Sequence, residues 1–199
     1  MTQQELLLQA RAGDAGRLGE LLECYRRYLG ILARVQLGQR LQGKLDASDL
    51  VQDVFLEAHR HFPQFSGTTE GQFLAWLRQI LAATLANLIR RYIGTQGRDV
   101  RLERELANEL AHSSRVLDGA LVAQVSSPSQ QASKREQGVL LADALTELPD
   151  DYREVVMLRN LYGMSFPQVA ERMGRTVDSV EKLWLRALIR LRQKMGDPA

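Results

Sequence analysis

Ser165-Phe-Pro-Gln-Val-Ala-Glu-Arg-Met-Gly-Arg-Thr-Val-Asp-Ser-Val-Glu-Lys-Leu-Trp-Leu185 is the stretch from which the rest of this chain can be read. Ser165 and Gln168 have the form of a capping box, in which a hydroxyl and an amide side chain reciprocally satisfy free amides at a helix start, so a helix is expected from about Phe166. Phe166, Val169, Ala170 and Met173 fall on one face of it. Gly174 can supply the backbone freedom of a sharp turn, Thr176 can cap a second helix, and Val180, Leu183 and Trp184 are the expected buried positions of that helix. Small Ala170 lets the helices approach, Gly174 turns the chain and Val180 seals the pair, which is the spacing of a DNA-binding helix-turn-helix. The same spacing also suits a helical hairpin in a structural bundle.

The residues after the turn narrow the choice. Lys182, Arg186, Arg190 and Lys194 recur at four-residue intervals, with Arg192 nearby, and form a slowly drifting basic stripe along which phosphates could lie. Asp178 and Glu181 dilute that stripe. Moving outward, breaks at Pro149, Gly163 and Gly174 divide a helical unit running from about Ser133 to Met195.

The N-terminal half reads as four successive helices, roughly Glu5–Ala12, Leu18–Gln36, Ala47–His61 and Gln72–Arg91, punctuated by glycines and Pro63. In the third, Ala47, Leu50, Val51, Val54, Phe55 and Ala58 have the spacing of a buried face. Asp46, Asp49, Asp53 and Glu57 gather on another. Carboxylates near a helix start are locally stabilising, but Asp53 and Glu57 lie beyond the first turn, and an acidic stripe in a near-neutral chain suggests a basic protein partner. In the fourth helix, Phe73, Leu77, Ile80, Leu81, Thr84 and Leu88 are the expected core stripe, with Trp76 at its flank. It ends in Asn87, Arg90, Arg91 and Tyr92, a basic and aromatic pairing that suits single-stranded nucleic acid.

Between the two halves the texture changes. The segment from Gly94 to Gln137 balances six basic residues against six acidic ones and contains the polar cluster Ser126-Ser-Pro-Ser-Gln-Gln131, so it reads as a solvated linker with some helix. The expected architecture is therefore all-α: two small helical domains, residues 1–95 and 138–199, joined by a linker over 96–137, the C-terminal domain containing the helix-turn-helix.

Composition sets the outer bounds. With 199 residues, 45% hydrophobic and 25% charged, the chain is neither disordered nor collagenous. The formal charge of +2 means that any nucleic-acid contact comes from local placement. A single cysteine, Cys24, excludes an internal disulfide or a four-cysteine zinc site and fits a reducing cytoplasm. Glu5, Arg11 and Asp14 interrupt any signal-peptide core. The most apolar run, Ile80–Ala86, falls far short of the roughly 20 residues a spanning helix needs, so no membrane insertion is expected. An enzyme would need candidates such as Glu57, His59 and His61, but residues two apart on a helix point away from each other. Cys24 has no nearby His and no glycine-rich phosphate loop is present, so no catalytic residue, metal site or cofactor is expected. A stand-alone helix-turn-helix repressor remains the rival reading; it would bind duplex DNA tightly by itself, as a dimer on paired half-sites.

The order of these parts resembles the extracytoplasmic-function branch of the sigma-70 family, bacterial RNA polymerase initiation subunits with two helical domains and a linker. Gln9-Ala-Arg-Ala-Gly-Asp14 looks like the family's opening helix and Asp49-Leu-Val-Gln-Asp-Val-Phe55 like the segment that docks on the polymerase's coiled-coil clamp. Phe65-Ser-Gly67 followed by Phe73-Leu-Ala-Trp-Leu77 is similar to the promoter-melting segment. Leu145-Thr-Glu-Leu-Pro149, Tyr152-Arg-Glu154 and the span from Phe166 to Leu185 look like the domain that reads the upstream promoter element.

The resemblance implies a cytoplasmic initiation factor that binds core RNA polymerase and promoter DNA, directs promoter recognition and melting, and raises an anti-sigma protein as a further partner. By position it implies Asp49, Leu50, Gln52, Asp53 and Phe55 for core polymerase, and Trp76, Asn87, Arg90, Arg91 and Tyr92 for the downstream element and melting. Arg175, Thr176, Asp178, Ser179, Glu181, Lys182, Arg186 and Arg190 are implied for the upstream element. Two positions depart from the pattern: Ala83 stands where relatives often carry a base-capturing Asn, and Glu181 and Leu183 stand where many have a Lys and an Arg. The chain ends soon after the recognition helix, so no appended regulatory domain is expected.

Overall fold

The computed structural model describes residues 1–40, 46–93, 100–117 and 134–195. All regular structure among the described residues is helical. The chain divides into two units, residues 1–112 and 113–199.

The first unit opens with α1 (Gln3–Arg11), α2 (Ala15–Arg40), α3 (Ala47–His61) and α4 (Glu70–Ile93). Local chemistry starts the helices where the sequence changes character. The Thr2 amide donates to Glu5 Oε2 at 2.8 Å and the Glu5 amide to Thr2 Oγ1 at 3.2 Å, a reciprocal cap for α1. The Ser48 amide donates to Asp46 Oδ1 at 2.9 Å, which starts α3. Donation from Ser48 also holds the Asp46 carboxyl below its ordinary value.

The core is α2 packed on α1 and α3, with α3 packed on α4. Tyr25, Tyr28, Leu29, Leu32, Phe73, Leu77 and Leu81 are fully buried in it. On α3 the buried residues are Ala47, Leu50, Val51, Val54, Phe55 and Ala58, as the spacing predicts. On α4 the buried face is rotated from the expected stripe. Phe73, Leu74, Leu77, Leu81, Ala82, Leu85, Ala86 and Ile89 are buried, whereas Ile80, Thr84 and Leu88 are only half-buried. The cause is that α1 and α2 also touch α4, so two neighbouring faces compete for burial and the small Ala82 and Ala86 permit close approach.

A short 3-10 turn, Phe62–Gln64, leads into the loop before α4. Phe62, Phe65, Phe73 and Trp76 form an aromatic cluster there, with Phe65 and Trp76 ring centroids 4.9 Å apart. Gln72 Oε1 accepts the amides of Thr68 (2.8 Å) and Thr69 (3.2 Å), and Gln4 Nε2 of α1 donates to the Thr68 carbonyl at 2.8 Å. The loop is thus tied down at Thr68 and Thr69.

The segment read as a linker holds a packed helix, α5 (Val100–Arg115). Leu106 and Leu110 are fully buried on it and Glu103 pairs with Arg90 of α4. The sequence predicts a linker with some helix here; the apolar i, i+4 repeat of Leu102, Leu106 and Leu110, set among balanced charges, is what packs that helix. The polar cluster 126–131 lies outside the described residues.

The second unit contains α6 (Lys134–Thr146), α7 (Asp150–Val156), a wide π turn (Met157–Leu161), α8 (Phe166–Met173) and α9 (Val177–Lys194). α9 is central, packing on α6, α7 and α8 through Val180, Leu183, Ala187 and Leu191. α8 buries Val169 and Ala170 against it. Gly174 adopts φ 63°, ψ 36°, the left-handed conformation that closes α8, and the Arg175 amide then donates back to the Ala170 carbonyl at 2.9 Å. The Ser179 amide donates to Thr176 Oγ1 at 3.3 Å and starts α9.

Candidate nucleic-acid and partner interfaces

On α3 the five residues implied for core polymerase separate by face. Asp49, Gln52 and Asp53 are exposed, whereas Leu50 (2% exposed) and Phe55 (9%) belong to the core. Leu50 and Phe55 therefore pack inward and hold the helix in place, and the Arg26 guanidinium covers the Phe55 ring at 4.7 Å. Glu57 is engaged by its own helix, with Arg60 at 2.7 Å and His61 at 3.5 Å. Among the described residues Asp49 and Asp53 form no ion pair, so their charge faces outward.

Beside Asp53 a groove of about 240 Å³ opens between α3 and α4. Leu56 and Glu57 line one wall, and Asn87, Leu88 and Arg91 the other. The groove brings Asp53, Asn87 and Arg91, assigned to different partners from sequence, onto one surface. The missed signal was Leu56, 54% exposed in the middle of an otherwise regular amphipathic helix.

The far end of α4 is less uniform than its composition suggests. Asn87 and Arg91 are exposed. Arg90 is not: its side chain is 12% exposed, it hydrogen-bonds Asn87 Oδ1, and it lies 3.6 Å from the Glu103 carboxylate of α5. Trp76 belongs to the aromatic cluster and is half-buried; the side chain of Tyr92 lies outside the described residues. Ala83 is half-buried on α4.

In the second unit, the turn between α8 and α9 presents Arg175, Thr176 and Asp178 outward, followed by Glu181 and Lys182. Ser179 is half-buried. Arg175 pairs with Asp151 of α7 at 2.5 Å and Lys182 with Asp178 one turn back at 2.7 Å. The basic stripe divides along its length. Arg190 lies over the Tyr152 ring at 5.4 Å and Lys194 pairs with Glu147 at 2.8 Å, so its far end is turned to the unit's own elements. Arg186 is exposed and has no ion-pair partner among the described residues.

Behind α9 sits a set of contacts that sequence reasoning did not single out. Trp184 Nε1 donates to Asn160 Oδ1 at 2.9 Å. The Trp184 ring meets Phe166 edge to face, 5.5 Å between centroids, and the Arg159 guanidinium covers Phe166 at 4.9 Å. Arg159 Nη1 also donates to the Met164 carbonyl at 3.0 Å. Phe166 and Trp184 are expected apolar positions of the helix-turn-helix, but no motif announces Arg159 or Asn160, because their partners are brought together only by the fold.

Sequence similarity to known proteins bears on this geometry. The family profile for Sigma-70 region 2 matches residues 21–95, and that for Sigma-70, region 4, matches residues 139–191. The ECF RNA polymerase sigma-E factor of Haemophilus influenzae is 29% identical over 188 residues, covering 94% of this chain and 92% of the relative. The sigma-E factor of Escherichia coli is 26% identical over 187 residues, covering 94% and 91%. A solved structure of the RsbN–BldN complex aligns over 94% of this chain and 97% of its own at 22% identity, with a TM-score of 0.32. The chain belongs to the sigma-70 family, in its extracytoplasmic-function branch, and is an RNA polymerase sigma factor. A sigma factor binds core RNA polymerase and promoter DNA and starts transcription as a non-catalytic subunit. No helix among the described residues is long and apolar enough to cross a membrane.

Proposed function

We propose that this sigma factor divides its work among three surfaces. Asp49, Gln52 and Asp53 dock on a basic surface of core polymerase; Asn87 and Arg91 at the end of α4 meet the downstream element as it opens; the first turns of α9, with Arg175, Thr176, Asp178, Glu181 and Lys182, read the upstream element. Arg186 meets phosphate. The protein acts in the cytoplasm and has no catalytic activity of its own.

The observation that carries this reading is the separation of charge on α3. Glu57 is occupied by Arg60 and His61, while Asp49 and Asp53 leave their carboxylates to solvent on a helix whose opposite face is buried. Unused like charge on a rigid helix supports recognition of a basic partner. Asp53→Lys should weaken binding to core polymerase by about 1–3 kcal/mol and leave helical content unchanged, since charge-assisted contacts of this size are typical of interfaces. Binding is read by competition with the unsubstituted factor for core enzyme. Unchanged affinity would remove α3 from the polymerase contact.

A further inference from the structure

The contacts behind α9 form a connected set across three elements: the π turn, α8 and α9. In the turn the Tyr162 amide donates to the Met157 carbonyl at 3.0 Å, five residues back, so the backbone is wider there than in an ordinary helix. Its consecutive residues Arg159 and Asn160 take opposite ends of one aromatic pair. Arg159 covers Phe166, the first residue of α8, and Asn160 accepts the indole N–H of Trp184 on α9. Phe166 and Trp184 meet edge to face between them. The buried residues of α9, Val180, Leu183, Ala187 and Leu191, are all apolar. The hydrophobic effect is non-directional, whereas a hydrogen bond adds a preferred direction.

Resting on the reading of α9 as the base-reading helix, we infer that Asn160 is a positioning residue for promoter recognition: it holds Trp184 and thereby fixes the roll of α9, on which Glu181 and Lys182 face outward. The magnitude favours such a role. A roll of roughly 10° on a helix of roughly 6 Å outer radius moves a side-chain tip by about 1 Å. That displacement exceeds the few tenths of an ångström over which a hydrogen bond to a base edge keeps its strength. Contacts to phosphates, made by long flexible side chains, absorb the same displacement. Loss of the Asn160 contact should therefore blur sequence discrimination and spare general DNA affinity.

The test uses holoenzyme and a duplex library randomised over the upstream element, with thermal unfolding followed in parallel. Asn160→Leu should lower the preference for the best element over its single-base variants by about fivefold, the equivalent of one net hydrogen bond, while affinity for unrelated duplex is unchanged. Trp184→Phe keeps a ring and removes the donor, and should do the same; the double variant should be no worse than either alone. Asn160→Asp retains the acceptor and should restore discrimination, its added charge lowering affinity for all sequences alike. Discrimination unchanged by Asn160→Leu, or lost together with general affinity in proportion to a lowered melting temperature and not restored by Asn160→Asp, overturns the inference. Glu181→Ala and Lys182→Ala separate the two readings. If they leave discrimination intact, α9 is not the base reader and the role of Asn160 falls with it; if they change it and Asn160→Leu does not, only the positioning role falls.

Discussion

Glu103 of α5 places its carboxylate 3.6 Å from the guanidinium of Arg90 on α4, and both side chains are largely covered, at 22% and 12% exposure. A cation at the end of α4 is thus already paired by a helix that comes after it in sequence. Arg91, one residue on, is exposed.

Strand opening should therefore depend unequally on the two arginines. Arg91→Ala should reduce permanganate reactivity of promoter thymines more than Arg90→Ala does. Glu103→Gln should raise opening by up to about 1 kcal/mol, the range of a partly exposed ion pair, and should do nothing in an Arg90→Ala background. Equal effects of the two arginine variants would show that Arg90 leaves Glu103 when DNA binds.

On α9, Lys182 and Arg186 should part company in the same way. Lys182 sits within the first two turns beside Asp178, and Lys182→Ala should change the preferred base at one upstream position by about 1–3 kcal/mol. Arg186→Ala should weaken all promoters alike and lower the salt dependence by about one counterion. Holoenzyme binding to an upstream-element library at several salt concentrations reads both. Uniform weakening by Lys182→Ala would make it a phosphate anchor.

A side chain at Gly67 should be costly. A Cβ there would come within 2.7 Å of Phe65 Cε2 and 3.0 Å of the Gln72 Cβ. The Phe65 ring cannot swing away without leaving Phe73 and Trp76. Gly67→Ala should destabilise the first unit by about 1–3 kcal/mol, whereas Gly19→Ala, in a helix with open space around it, should stabilise by about 0.5–1 kcal/mol. Trp76 fluorescence during urea unfolding, in a Trp184→Phe background, measures both.

Acid sensitivity should trace in part to the cap of α3. The Asp46 carboxyl is held below its ordinary value of 3.8 by the Ser48 amide, so its stabilisation is present above that pH and disappears as pH falls through the lower native value. Asn caps almost as well and does not titrate. Asp46→Asn should leave the urea midpoint near neutrality unchanged and make its decline in acid shallower; parallel curves for the two proteins would show that the Ser48 contact does not couple to folding.

The amino-acid sequence by itself determined most of the helices, the division into two helical units and the identity of most buried residues. Each of these rests on interactions local in the chain: the Thr2–Glu5 and Ser165–Gln168 caps, the left-handed Gly174, the apolar period of α3. The tertiary structure decided which polar residues are available. Arg90 and Arg91 are equivalent in sequence, yet Arg90 meets Glu103 and Arg91 faces solvent; Leu50 and Asp49 adjoin, yet one faces the core and the other solvent. The α4 stripe rotated because three helices compete for its surface, and Asn160 found Trp184 24 residues away across a turn. Periodicity reports where a helix can bury a face. Pairing between distant charges and donors depends on the three-dimensional approach of elements, which no local pattern encodes.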